Sequence, residues 1–194
     1  MKIYTITGCS ASGKDKILNT LIKNCMGLTP IISTTSRPMR TNEIQGREYN
    51  FVSDEVAKNM LINNDFIENR SYKVANGDTW IYGITKDSIK ITSYHNYIVI
   101  VDFQGLQELK KYLCDREYES SLTSIYIDCS YQTRLLRSLQ REGKMTDEQV
   151  AEVIRRFTDD NENVAPAKEY CDYVVNNEGD FSNTINRILD ILED

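Results

Sequence analysis

A chain of 194 residues has room for one globular domain with a sizeable core. Its formal net charge of −6 and pI near 5.0 argue against non-specific binding to nucleic acid or to an anionic membrane. No apolar run approaches the roughly 20 residues of a membrane span, the N-terminus lacks a charged-then-apolar signal peptide, and five cysteines without paired spacing predict reduced thiols in a cytoplasm.

Residues 2–7 alternate polar and apolar and are rich in Ile, Tyr and Thr, which predicts a strand. The segment KDKILNTLIKNC then sets Ile17, Leu18, Leu21, Ile22 and Cys25 at helical spacing. Between them runs GCSASGK, with Gly8, four further residues, then Gly13 and Lys14. A glycine-rich turn from strand to helix aims successive backbone N–H groups and the positive helix end at one spot. That spot suits a phosphate, and Lys14 brings a point charge to its terminal oxygens. The hydroxyl residue expected after the lysine is replaced by Asp15. Its carboxylate either binds Mg²⁺, directly or through water, or points away and leaves the metal to water and other acids.

Between about 31 and 95 the pattern turns polar and Tyr- and Asn-rich, with short extended pieces such as EYNFVS, and reads as an insertion on the core. The single histidine, His95, lies in a polar turn, and no catalytic part is expected of it. YIVIVD at 97–102 is a near-continuous apolar run, as a central parallel strand requires. A helix with Leu106, Leu109 and Leu113 on one face follows. SIYIDC at 124–129 is a second such strand, and the next helix carries its apolar stripe on Leu135, Leu136 and Leu139. Thr146 with Asp147 and Glu148 starts a helix through Val150, Val153, Ile154 and Phe157. YVV at 173–175 and a helix striped by Ile185, Ile188, Leu189 and Leu192 complete the order. This alternation predicts an α/β fold, a parallel sheet wrapped by helices, with ligands at the carboxyl ends of its strands.

Two further groups of residues carry chemistry. Arg37 and Arg40 flank Pro38 in STTSRPMRTNE, where the proline forbids a regular helix. Two guanidiniums beside hydroxyls suit bidentate capture of a second phosphate, to which Tyr49 can add a phenolic hydrogen bond. Arg134, Arg137 and Arg141 share one helix face, and Arg155 and Arg156 follow on the next helix beyond a flexible connector, EGKMT. A donor and an acceptor phosphate held together, with positive groups on a closing element, are the parts that phosphoryl transfer needs.

With these motifs in view, the chain resembles the guanylate kinases, nucleoside-monophosphate kinases with a P-loop core, a nucleotide-binding insertion and an arginine-bearing lid. The matches run in order through most of its length: GCSASGKD, STTSRPMRTNE, GREYNFVS, DFIE, YG, VDFQG and the arginine-rich stretch between 134 and 156. The resemblance implies a P-loop kinase core (about 1–30, 96–130 and 165–194), a nucleotide-monophosphate-binding insertion (about 31–95) and a helical lid (about 131–160). It implies transfer from ATP to GMP, with dGMP a further candidate acceptor, giving GDP and ADP with Mg²⁺. It assigns ATP to Gly8, Cys9, Ser10, Ala11, Ser12, Gly13, Lys14 and Asp15, with Asn176 near the donor base and Asp15 the candidate for Mg²⁺. Ser33, Arg37, Arg40, Tyr49 and Tyr82 become ligands of the GMP phosphate, and Glu43 matches an acid of the same loop. Lys14, Arg137, Arg141 and Arg156, with Arg134 a weaker match, neutralise the transferring charge. Glu68 and Asp102 become readers of guanine, whose N1–H and 2-amino group are neighbouring donors suited to ionised carboxylates. Its partners are then small-molecule nucleotides, not nucleic acid or membrane, bound by a monomer or a homodimer.

Three departures bear on the base. Ile84 stands where the family has Ser or Thr after YG, Ile100 replaces the first acid of its D-x-D-x-Q-G pattern, and the segment from 69 to 81 is longer than usual. The longer hairpin around Asn76, Gly77 and Asp78 is expected to remodel the base pocket, with Trp80 and Tyr82 close to it. These departures keep open a related P-loop kinase acting on another nucleotide or small phosphorylated acceptor. Asp15 keeps open a non-catalytic guanylate-kinase-like binding module.

Overall fold

The computed structural model describes residues 1–73, 78–90, 95–142 and 145–193. Its strands are β1 (Ile3–Thr7), β2 (Leu28–Pro30), β3 (Thr34–Thr35), β4 (Asn50–Phe51), β5 (Phe66–Lys73), β6 (Thr79–Thr85), β7 (Asn96–Ile100), β8 (Leu122–Asp128) and β9 (Tyr173–Asn176). Its helices are α1 (Lys14–Asn24), α2 (Asp54–Ile62), α3 (Phe103–Cys114), α4 (Tyr131–Glu142), α5 (Asp147–Asn163) and α6 (Phe181–Glu193). Five strands form a parallel sheet in the order β2-β7-β1-β8-β9, the α/β architecture that the strand and helix alternation predicts. The first crossover carries the chain to the β2 edge and later ones to the β9 edge. The carboxyl end of the central β1 therefore lies where the winding reverses, the place such sheets hold ligands.

Although β1 alternates in sequence, all five of its residues are buried. Tyr4 and Ile6 pack on one side with Ile17 and Leu21 of α1 and Ile185, Ile188 and Ile191 of α6. Ile3 packs on the other with Leu106, Leu109 and Leu113 of α3 and with Ile84, Tyr97 and Val99. Thr5 and Thr7 are buried with them, so polarity here does not mark a solvent face.

The stretch read as an insertion builds a second, four-stranded sheet in the order β4-β3-β6-β5. Its β5–β6 pair is a long antiparallel hairpin whose register shifts between Phe66 and Glu68, an irregularity that re-aims the strand at Glu68. Asn76 and Gly77 of that hairpin lie outside the described residues. The helix α2 was not anticipated, although Ser53 caps it by accepting from the Val56 N–H. Thr146 does start α5, in a reciprocal capping box with Gln149. The stripe on α4 departs from expectation, since Leu135, Leu136 and Leu139 are exposed while Arg134 and Ser138 are buried.

Leu21 is fully buried between the sheet and α6. Leu21→Ala is expected to lower stability by about 3 kcal/mol, read by urea denaturation, because the surrounding core closes only partly over the lost volume.

Candidate active site

At the end of β1 the backbone turns through Gly8, Ala11 (φ 60°) and Gly13 (φ 98°) before α1 begins. A Cβ on Gly8 would lie 2.6 Å from the Ile127 carbonyl oxygen, and one on Gly13 would lie 2.5 Å from Asn177 Nδ2. Neither position has room for a side chain. Lys14 folds back from the first turn of α1 and donates to the carbonyl oxygens of Gly8 (2.5 Å) and Cys9 (2.9 Å). Burial pushes its ammonium below the usual lysine value, against the pull of the Asp15 and Asp160 carboxylates. Asp15 is exposed and opens, with Ser10, Lys14 and Arg156, on a cavity of about 200 Å³ between the loop and the lid helices. The loop residues Gly8 to Asp15 thus come together at the carboxyl end of β1.

Asn176 and its neighbour Asn177 are placed differently. Asn176 is exposed, and its Oδ1 accepts from the Glu178 N–H. Asn177 is buried and donates from Nδ2 to the Ser12 carbonyl at 2.7 Å, while its Oδ1 accepts from Thr184. Asn176 ends β9 and Asn177 follows directly on it, so the two side chains point to opposite sides of the extended chain.

Among the described side chains of α4 and α5, Arg134 is the most deeply buried arginine. It bonds to Asp160 at 2.9 Å, with both side chains about 5% exposed, and its guanidinium lies over the Phe157 ring at 4.8 Å. Asp160 also accepts from the Ser10 N–H at 2.7 Å. The pair therefore ties α4 and α5 to the phosphate loop. Asp160 went unrecognised in the sequence, where an acid among DDNEN reads as part of a solvated helix end. Arg137 donates to the Ser12 carbonyl (3.3 Å) and to the Asn177 carbonyl (2.9 Å), on the wall of the same loop. Arg155 and Arg156 both grip Glu152, whose carboxyl they hold down at about 2, and of the two Arg156 lines the cavity. Arg141 is described only as backbone in α4.

The second cavity, about 310 Å³, lies against the insertion and is lined by Ser33, Tyr49, Glu68, Arg70, Tyr72, Tyr82 and Asp102, among others. Tyr82 packs edge-on to both Tyr49 (5.8 Å between centroids) and Tyr72 (5.6 Å). Arg37 is buried beneath, donating to Glu43 Oε1 at 2.8 Å with its guanidinium over the Tyr49 and Phe51 rings. Glu43 also accepts from the Arg40 N–H, so its carboxylate shapes the loop and leaves the Arg40 side chain exposed. Trp80, expected beside the base pocket, instead lines a separate cavity with Ser36, Pro38 and Lys58.

At the far end of the second cavity Glu68 is buried, and its Oε1 accepts from the Ile84 N–H at 3.0 Å. Desolvation pushes its carboxyl up to about 7. Asp102 caps α3, with Oδ1 accepting from the Gly105 N–H at 2.7 Å. Between the two acids lies Arg70, a residue that sequence reasoning missed. It bonds to both Asp102 oxygens (2.8 and 3.1 Å) and to Glu108 (3.2 Å), with Glu68 at 3.6 Å. Period two along β5 puts Glu68, Arg70 and Tyr72 on one face, so reading FIENRSY as a strand would have found it.

Comparisons with known proteins fall on this same arrangement. The sequence model of the family described as guanylate kinase matches residues 1–194. The chain belongs to the guanylate kinase family. Among its relatives, the guanylate kinase of Wigglesworthia glossinidia brevipalpis is 28% identical over 193 residues, covering 97% of this chain and 86% of that one. The guanylate kinase of Rickettsia prowazekii is 30% identical over 192 residues, covering 98% and 89%. The crystal structure of guanylate kinase from Anaplasma phagocytophilum shares the fold with a TM-score of 0.64 at 22% identity, over 99% of this chain and 84% of that one. Guanylate kinases are nucleoside-monophosphate kinases, transferases of a phosphoryl group. Among the described residues no helix is long and apolar enough to cross a membrane.

The raised Glu68 carboxyl has a consequence for stability. The folded chain keeps this proton up to about pH 7, whereas the residue's ordinary value is 4.5, so stability is expected to fall as pH rises between those values. Glu68→Gln should flatten that part of the profile, measured by urea denaturation at pH 5, 6 and 7.5.

Proposed function

We propose that this chain transfers the γ-phosphoryl group of ATP to GMP, giving ADP and GDP. The observation that carries this reading is the pairing of two cavities. One lies between the β1–α1 phosphate loop and the lid arginines, and the other is lined by tyrosines and by two carboxylates, buried Glu68 and the more exposed Asp102. In this reading the loop amides and Lys14 hold the donor phosphates, Arg37, Arg40 and Tyr49 hold the acceptor phosphate, and Glu68 faces the guanine N1–H. The acceptor phosphate is itself a nucleophilic anion near neutral pH, so no general base on the protein is required. Catalysis is positioning plus charge neutralisation, to which Arg137 and Arg156 contribute from the lid. The five free cysteines fit a reducing cytoplasm.

Mg²⁺ fits the residues present. Mg²⁺ keeps several waters and takes one or two carboxylates plus substrate phosphates, and Asp15 offers one exposed carboxylate at the mouth of the loop cavity. Held there, the ion would supply positive charge to offset that of the phosphates. Asp15→Ser is expected to raise the Mg²⁺ concentration needed for half-maximal turnover; an unchanged requirement would remove direct ligation.

A coupled ADP-release assay with MgATP and GMP, dGMP, AMP, CMP, UMP and dTMP tests the reaction. Turnover confined to the two guanine nucleotides is the expected result, and ATP binding without transfer to any of them would overturn the reading. Lys14→Ala should lower kcat by about 10²–10³, as loss of one preorganised charge at a transition state does, with GMP affinity largely kept. Arg40→Ala should instead raise KM for GMP, by about tenfold for one charged hydrogen bond.

A further inference from the structure

Asp102, one of the two acids expected to read guanine, is already engaged. Asp102 Oδ1 accepts from the Gly105 N–H and from Arg70 Nη2, and Oδ2 accepts from Arg70 Nε. The fork is braced from behind: Arg70 Nη1 donates to the Asn69 carbonyl and to Glu108, which is itself held by Gln104. Its side chain is only 15% exposed. Four N–H groups of one guanidinium are therefore committed, and a bidentate charged pair of this kind is the strong, geometrically defined sort. Glu68 is differently placed. Its Oε1 is held by the Ile84 N–H, and its Oε2 stands beside Gly105 with Arg70 Nη1 beyond hydrogen-bond length at 3.6 Å.

We propose that Arg70 determines base specificity by holding Asp102 out of base recognition, so that Glu68 alone reads the donor edge of the base. This rests on the guanine-nucleotide reading given above and refines it. A single carboxylate at the N1–H separates bases that carry that donor from adenine, which lacks it. With Oε1 held by the Ile84 N–H, Glu68 meets the base through one oxygen, and one oxygen at N1–H does not separate guanine from hypoxanthine, which carries N1–H and the 6-keto oxygen but no 2-amino group. The acceptor class is therefore 6-oxopurine nucleoside monophosphates, GMP and IMP alike, and Arg70 acts as a positioning residue through Asp102.

Affinities for GMP, IMP and AMP are measured by titration calorimetry alongside kcat/KM, at pH 8.5 so that Glu68 stays ionised, for the wild type and four variants. The wild type should discriminate little between GMP and IMP. Arg70→Ala frees Asp102 to accept from the 2-amino group and should raise the preference for GMP by about tenfold or more, the worth of a hydrogen bond to a charged group. Arg70→Lys, which keeps the charge and loses the fork, should fall between. Discrimination against AMP, which depends on Glu68, should hold throughout, a pattern that a general loosening of the pocket would not give. Asp102→Asn keeps the α3 cap; alone it should leave the GMP-to-IMP ratio unchanged, and in the Arg70→Ala background it should abolish the gain. An unchanged ratio in folded Arg70→Ala, or a ratio lowered by Asp102→Asn alone, would overturn the proposal. Binding in the expected pattern without transfer to any nucleotide would retire the kinase reading and leave Arg70's role standing. Binding of none of them, in the wild type and in Arg70→Ala, would sink both.

Discussion

The close approach of β1 to β8 at Gly8 is the constraint on which the rest of the molecule depends. With the Ile127 carbonyl oxygen 2.6 Å from where a Cβ would stand, the chain leaves the sheet there as bare backbone. The loop then closes through Gly13 in the left-handed region, a conformation glycine adopts without strain. That turn brings the start of α1, and Lys14 on it, back over the loop. The same turn leaves room for Asn177 to reach the Ser12 carbonyl from β9. Strand spacing in the core thus sets the geometry of the phosphate cradle, and everything that approaches the cradle does so from the carboxyl ends of the parallel strands.

Two arginines in different parts of the chain, buried Arg134 and half-buried Arg70, then fix what surrounds the cradle. Arg134 pairs with Asp160 and joins both lid helices to the Ser10 N–H. Arg70 pairs with Asp102 and Glu108 and joins the insertion sheet to α3. For the buried Arg134–Asp160 pair, removing one partner costs about 3–5 kcal/mol because the other charge is left without compensation, even where the intact pair adds little net stability. Such pairs therefore act less as glue than as registers. They fix which surface of the lid and which surface of the insertion face the two cavities. Arg134 keeps a buried Nε without a hydrogen-bond partner, a sign that the site favours this alignment over full satisfaction of the guanidinium.

The core was legible in the sequence because its signals are local. Apolar runs, helical stripes, a glycine-rich turn and a threonine cap each report on a few neighbouring residues, and the parallel sheet follows from their order. What escaped depends on distant pairing or on facing. Asp160 and Arg70 gain their meaning from partners 26 and 32 residues away, with nothing beside them in sequence to mark it. Asn177 reaches the phosphate loop through Ser12 and is held by Thr184, contacts that no neighbour in sequence marks. The leucines of α4 read as a core stripe because periodicity finds an apolar face without saying whether anything covers it. Arg137 lies on the phosphate-loop wall, whereas Arg155, equally suggestive as a charge, only brackets Glu152.

Ile84 shows why a departure in sequence need not unmake a site. Its side chain is fully buried, packed in the cluster that includes Ile31, Ile89 and Leu106. The work a hydroxyl could do there on the base is lost, yet the backbone N–H of the same residue still orients Glu68, whose carboxylate stands directly across the β5–β6 pair. The irregular register at Phe66–Glu68 makes that alignment, and Gly105, with no side chain of its own, lets Glu68 Oε2 come within 3.3 Å of where its Cβ would be. The placing of Glu68 is thus carried by backbone geometry. Arg70, rather than the Ile84 side chain, is the group that touches Asp102 and faces Glu68.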